Sequence, residues 1–294
     1  MTQLIMKNTE ERESFWTNEC WFYDRFLPHF AYTNQQRDMV ESLYNTCLLS
    51  KGLLLTTEAE IGRVFTESGD SAGRATYLHL QQDRLLLTNQ LELDNEYRVI
   101  NTDSLQKSVK AQEQNLAGML KNGEATSIVG RLMTGWQEVR SRLGKNDAAI
   151  EFVAVPTANN GTIFVALTLR QDFDTPHMIT LFEQQRLKAL SNADIYTTDS
   201  LYRILWQPLT TDLQGVQRIY FSPAGALHQI AIEYLPGLKG RELYRLSSTR
   251  ELVRPHTETR GMEAALYGGI QYELSDKQRA DLSHQASTAF RDVP

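Results

Sequence analysis

Cysteine is scarce in this 294-residue chain: only Cys20 and Cys47 are present, too few for a disulfide framework and without a CxxC metal pattern. Apolar runs are short, none approaching the roughly 18 residues of a membrane span. The opening MTQLIMKNTEERESFW has no basic flank followed by an apolar core of signal-peptide length, so an intracellular protein is expected. Basic residues are outnumbered, 30 against 36, and the net charge of −6 leaves no cationic footprint for phosphates, which excludes nucleic acid as the expected partner. The histidines His29, His79, His177, His256 and His284 are scattered without metal-ligand spacing, so no metal site is assigned. GxGxxG and P-loop phrases are missing too, so no cofactor is expected. These absences point to a soluble cytoplasmic protein with no membrane partner.

What is present is enough for an ordered protein. A hydrophobic share of 41% with 22% charged residues is ordinary for a globular chain, and the length predicts about two domains. From about Glu10 to Leu143 glycine and proline are sparse and apolar residues recur at helical spacing. Leu43, Cys47, Leu48 and Leu53 to Leu55 form one apolar series, and Leu78, Leu80, Leu85 to Leu87, Leu91 and Leu93 another. Ser68 to Gly73 separates the two sets, with weaker marks at Asp94-Asn95, Asn122-Gly123 and Gly135. No repeat of about 34 residues is found in this stretch.

The period changes at Asn146-Asp147. Ala149 to Val155 and Gly161 to Leu169 are strand candidates joined by a short polar connection, which predicts an antiparallel hairpin, and His177 to Phe182 predicts a third strand. Helices are expected over Glu183 to Leu190 and Asp199 to Leu205, the latter ended by Pro208. Further strands are expected at Arg218 to Phe221, Glu251 to Val253 and Ala264 to Gly268. The pattern predicts an α plus α/β protein: a helical region over 1–145, a mixed sheet covered by helices over 146–270, and a polar linker or tail over 271–294 with a short helix near Lys277 to Ser283.

The stretch from Arg218 to Pro236, RIYFSPAGALHQIAIEYLP, combines a strand, a turn and a second apolar segment. Pro223 presets one turn position and Gly225 supplies positive φ, so the flanking segments are expected to fold back on each other. This wording resembles the CHAT family of caspase-like cysteine peptidases, through Ser222, Pro223, Gly225, Leu227, His228, Leu235 and Pro236. Leu201-Tyr202, Leu205-Trp206, Pro208-Leu209 and Tyr267-Gly268-Gly269-Ile270 add to the resemblance. The family's catalytic His follows one strand in a Thr/Ser-His-Gly phrase, and its Cys follows a later strand in a Ser-Ala-Cys phrase. Neither phrase occurs here, and the chain stops at Pro294, just past the first half of the module. The resemblance therefore implies an incomplete caspase-like domain, the non-catalytic leading half of a peptidase, inactive alone. Its implied partner is the catalytic half of the same protein, with a protein activator or protein substrate beyond it. The family often carries tetratricopeptide repeats upstream, so the helices correspond to the region between repeats and peptidase, and the polar tail to a processing site.

Read by themselves, the candidate chemical groups favour structural roles. Cys20 and Cys47 lie among aromatic and leucine neighbours, where burial raises a thiol's pKa, so both are expected to be structural. A hydrolase built on Cys47 and His79 is the weaker alternative. His228 lacks a nearby nucleophile in sequence and is expected to bond a backbone carbonyl. Ser222 sits in a turn phrase rather than a Gly-x-Ser-x-Gly elbow. The aromatic residues Trp16, Trp21, Phe22, Tyr23, Phe26 and Phe30 are expected in a helical core, and would form a docking patch if exposed. A helical and α/β protein interaction scaffold without peptidase activity is the second reading of the whole chain.

Overall fold

The computed structural model describes residues 1–67, 69–158, 160–190, 192–254 and 275–282. The chain is α plus α/β, with helices first and a five-stranded mixed sheet after them. The first helices are α1 (Thr2–Ile5), α2 (Thr9–Trp21), α3 (Leu27–Asn34), α4 (Arg37–Ser50), α5 (Leu53–Glu67), α6 (Ser71–Leu91), α7 (Thr102–Met119), α8 (Asn122–Leu132) and α9 (Trp136–Arg142). Two compact units interleave along the chain, one of residues 1–13, 57–129 and 275–282, the other of 14–56 and 130–254. The change of sequence period at Asn146-Asp147 marks where the sheet begins. The units instead follow packing, because α3 and α4 bury their apolar faces on the sheet.

In the first unit the described part of the polar break, Gly69 to Gly73, holds a helix start, where Asp70 accepts the Ala72 N–H at 3.0 Å and caps α6. Asn101 does the same for α7 through the Ser104 N–H at 2.9 Å. Ile61, Leu80, Val109, Leu116 and Ile128 are buried from successive helices. Beside them lies an ionic cluster. Glu58 of α5 pairs with both Arg12 of α2 and Arg84 of α6, and Arg84 reaches Glu113 of α7 at 2.7 Å. Arg12 is only 6% exposed, so its charge depends on these partners. Replacing Glu58 with alanine is expected to destabilise this unit by about 2 kcal/mol, less than a fully buried pair because Glu58 keeps some solvent contact. Loss of helical circular dichroism at lower denaturant, with tryptophan fluorescence unchanged, checks it.

The second unit holds β1 (Asp147–Pro156), β2 (Thr162–Arg170), β3 (His177–Glu183), β4 (Arg218–Ser222) and β5 (Glu242–Arg245), in the order β3-β2-β1-β4-β5. β1 and β2 form the expected antiparallel hairpin, and β3 continues it with a bulge between Phe164 and Val165. β1 to β4 and β4 to β5 are parallel. Side chains alternate along β1. Ala148, Ile150 and Phe152 face a core shared with Leu187 of α10 (Gln184–Lys188), Ile195 of α11 (Asn192–Thr197) and Leu201 and Leu205 of α12 (Ser200–Leu205). Ala149, Val153 and Val155 face Leu43, Tyr44 and Leu48 of α4 and Trp136 and Val139 of α9. Both faces are covered, which explains why β1 and β2 read as nearly continuous apolar runs.

Several expectations need correcting. Glu251 to Val253 is not a strand: Thr249–Val253 is a 3-10 turn, started where Ser248 Oγ accepts the Arg250 N–H at 3.3 Å and pinned where Glu151 accepts the Thr249 N–H at 2.6 Å. β5 has no counterpart in the sequence reading, because Glu-Leu-Tyr-Arg carries too few apolar residues to stand out. The segments flanking the Ser222 turn do not pair with each other. The second forms 3-10 turns at Gly225–Gln229 and Ile232–Tyr234, while β4 pairs with β1 and β5. The aromatic group is not a closed core: Trp21, Phe22, Phe26 and Phe30 are exposed, although Phe22, Phe26 and Phe30 stack in sequence. A helical stretch covers 276–282, as read near Lys277 to Ser283. Ser283 itself, the strand expected at Ala264 to Gly268, the Tyr267 to Ile270 match, His256, His284 and the rest of the tail lie outside the described residues.

Candidate functional site

β1 and β4 run parallel as far as Glu151 opposite Ser222, where β4 ends and β1 continues to Pro156. Alternation points Glu151 inward on the α4 face, so a carboxylate is fully buried in an apolar wall. Such a charge persists only if paired and hydrogen-bonded. Its Oε2 lies 2.7 Å from Lys51 Nζ, while Oε1 accepts the Thr249 N–H at 2.6 Å, Thr249 Oγ1 at 2.8 Å and Ser248 Oγ at 3.2 Å. Lys51 follows the C-terminus of α4, and Gly52 after it has φ of 64°. Its ammonium also donates towards the carbonyls of Phe152, Ser222 and Pro223 at 2.8 to 3.2 Å and towards Ser222 Oγ at 3.0 Å. Tyr44 Oη and Thr249 Oγ1 share a hydrogen bond of 3.1 Å, and Arg250 reaches Thr56 Oγ1 at 2.8 Å. This buried polar web ties α4, β1, β4 and the Thr249 turn together.

The phrase from Ser222 to Pro236 is built on that web. Ser222 is buried and its hydroxyl donates to the Ser247 carbonyl at 2.8 Å while accepting from Lys51, so it is committed to structure. Pro223 contributes its carbonyl to Lys51, and Gly225 has the expected positive φ, 51°. Leu227 and Leu235 are buried in the core and Pro236 is half-buried. Trp206 Nε1 donates to the Ile232 carbonyl at 3.0 Å, and its ring meets Phe152 and Phe221 edge-on. The Leu205-Trp206 and Ile232-to-Leu235 stretches, separate in sequence, therefore share one core.

A cavity of about 300 Å³ opens beside the strand ends, lined in part by Tyr23, Asp24, Cys47, Lys51, Ala154 and His228. Tyr23 and Asp24 lie on a π-helical turn, Phe22–Phe26, between α2 and α3. The helix that follows the turn, α3, is tied to β1 where His29 Nδ1 bonds the Pro156 carbonyl at 2.9 Å. Sequence reasoning missed Asp24, Lys51, Glu151 and the Thr249 turn, since they come from distant segments. A charged residue inside the apolar run AIEFVAV was the one available signal.

Cys47 and His228 share this cavity, yet their chemistry is not that of a nucleophile and base. Burial pushes the Cys47 thiol up to about 12, with Lys51 opposing and Glu151 and Asp24 adding to the rise. A protonated thiol is neither nucleophile nor metal ligand. His228 is exposed, and its ring makes no hydrogen bond among the described residues, unlike the carbonyl contact expected for it. Partial desolvation and the charges of Lys51 and Arg245 hold its pKa below the usual range, so it is neutral near pH 7. His79 bonds Gln112 Oε1 at 3.1 Å and lies in the other unit. Cys20 is half-buried, with Sγ 3.3 Å from the Thr17 carbonyl. Among the described residues no group of three or more His, Cys, Asp or Glu side chains is arranged to hold a metal ion, and no helix is long and apolar enough to cross a membrane.

The thiols provide a direct check. Maleimide at pH 8 is expected to modify Cys20 readily and Cys47 at least roughly a hundredfold more slowly, because burial suppresses the thiolate as well as access. Mass spectrometry of labelled peptides reads the ratio, and both thiols react in denaturant. The raised thiol also makes stability pH-dependent. The contribution of Cys47 is complete below the unfolded thiol pKa of about 8.5 and declines as pH rises towards 12.

Comparison with known proteins gives no match to a family model, a curated protein or a solved structure.

Proposed function

We propose that the chain is the non-catalytic leading half of a CHAT-type, caspase-like cysteine endopeptidase, supporting a catalytic half and coupling it to a helical sensor region. The observation that carries the reading is the open parallel edge. From β1 the sheet grows through β4 to β5 in chain order, each step parallel, and β5 is the outermost strand among the described residues. The Glu242 and Leu246 amides donate to Gln217 and Phe221 of the β4 side, so alternation turns the Leu243 and Arg245 amides outward. A following strand adds there by backbone pairing, as edge strands accept partners generally. The protonated, buried Cys47 fits a half that performs no chemistry itself. In the completed enzyme a Cys thiolate from the other half attacks the scissile carbonyl, a His serves as base and acid, and backbone donors hold the oxyanion.

A thiol-directed acyloxymethyl ketone probe tests the assignment. It is expected to leave this chain unlabelled and to label the full-length gene product at a cysteine outside the chain. Labelling of Cys20 or Cys47 in an active preparation contradicts the proposal. The interaction-scaffold reading is favoured by one observation, the exposed ladder of Trp21, Phe22, Phe26 and Phe30. Full-length product without any labelled cysteine selects it.

A further inference from the structure

The cavity beyond the carboxyl end of β4, alongside Phe152 to Ala154 of β1, carries a charge pattern that goes beyond the support role and does not depend on it. Crevices outside the carboxyl ends of parallel strands are where α/β sheets commonly bind ligands. About 300 Å³ lies at the small end of ligand pockets, suited to one extended side chain or a small molecule. One part of its wall is apolar, from Tyr23, Pro28, Phe152, Val153 and Ala154, beside a polar part with Asp24, Ser50, Lys51 and His228. Three ionisable groups on the wall set its polarity.

Lys51 is already engaged. Its three ammonium protons face five oxygens within 3.2 Å, one of them on Glu151, so its charge is compensated and it has no proton left for an anion. His228 is neutral near pH 7. Asp24 is different. It makes no hydrogen bond or ion pair among the described residues, and the π-helical turn presents it to the cavity beside the Tyr23 ring. Asp24 remains exposed to solvent, and partial desolvation where it borders the cavity raises its carboxyl pKa from the ordinary value. The uncompensated charge of the cavity wall is therefore one negative charge next to an aromatic ring.

We propose that this cavity binds an organic cation, a primary ammonium or guanidinium on a short alkyl stem, with Asp24 as its counter-ion and the apolar wall holding the stem. A lysine or arginine side chain of a protein and a free alkylamine share this chemistry. The cation gains a charge-assisted hydrogen bond and the Tyr23 ring, and the stem replaces water on Val153 and Ala154.

The test titrates the whole chain, isotopically labelled, with capped lysine (Nα-acetyl-lysine methylamide), agmatine, capped norleucine and glutarate, following amide resonances of residues 23–26, 154 and 225. Capped lysine or agmatine is expected to shift these resonances saturably. Tighter binding of capped lysine identifies a protein side chain as the source, and tighter binding of agmatine a free amine; either supports the cation site. Asp24→Asn is expected to weaken binding by roughly tenfold or more, the size of one hydrogen bond to a charged group, with an unchanged melting temperature because Asp24 has no partner to lose. Asp24→Glu is expected to restore part of the affinity. Norleucine binding as well as lysine, preferred binding of glutarate, equal binding by Asp24→Asn, or no shift with any probe overturns the proposal.

Discussion

Replacing Glu151 with alanine is expected to remove about 3–5 kcal/mol of stability from the sheet unit, the range for breaking a buried ion pair. Its carboxylate is fully buried: Lys51 Nζ forms an ion pair with Oε2, and three donors, the Thr249 N–H, Thr249 Oγ1 and Ser248 Oγ, converge on Oε1. Alanine leaves an ammonium and three polar groups without that acceptor and opens a cavity behind β1. Folded domains have only about 5–15 kcal/mol in hand, so the unit approaches its unfolding threshold. Glu151→Gln keeps an acceptor for Thr249 but leaves Lys51 uncompensated, and is expected to fall between wild type and alanine. Adding Lys51→Met to Glu151→Gln should recover part of the loss, because the stranded charge goes with it. All four tryptophans, Trp16, Trp21, Trp136 and Trp206, belong to this unit, so fluorescence during urea unfolding follows it separately from the other. A Glu151→Ala midpoint equivalent to less than about 1 kcal/mol would mean that the web does not hold the strand ends.

If the proposed catalytic half pairs at β5, substituting proline for Leu243 is expected to abolish that assembly, weakening it by roughly a hundredfold or more, while the chain itself stays folded. The asymmetry comes from strand geometry. The Glu242 and Leu246 amides pair with the β4 side, and the Leu243 amide faces away, so proline removes no hydrogen bond from the existing sheet. Edge strands tolerate proline at such positions, although the half-buried Leu243 side chain gives up some packing. An incoming strand, by contrast, loses a backbone donor and meets the ring. Co-purification with the catalytic half measures the loss, and the tryptophan signal confirms that the sheet unit remains folded. Undiminished assembly of Leu243→Pro would place the partner elsewhere on the chain.

What was legible in the sequence was what local pattern controls. β1 and β2 stood out because both of their faces are buried, giving unbroken apolar runs, and the break between the first helices and the second set stood out because Ser68 to Gly73 is a run of small and polar residues. The positive φ of Gly225 followed from its place in Ser-Pro-Ala-Gly. What distant segments determine was not legible. Glu251 to Val253 has strand-forming residues, but Glu151, about a hundred positions earlier, captures the Thr249 N–H and the chain turns instead. Nothing near Lys51 in sequence marked it, since all five of its oxygen partners lie on β1, β4 or the residue after β4. The aromatic run from Trp16 to Phe30 followed the rule that such residues fill cores, yet the π-helical turn directs several of them outward. The cavity unites residues 24, 47, 51, 154 and 228, a set no single stretch displays.

Amide hydrogen exchange at Leu243 and Arg245, compared between this chain and the full-length gene product, tests the central claim most directly. The account predicts fast exchange in this chain, because no strand beyond β5 covers these amides among the described residues, and strong protection in a longer product in which the proposed catalytic half adds a parallel strand there. Equal exchange in the two proteins would contradict it.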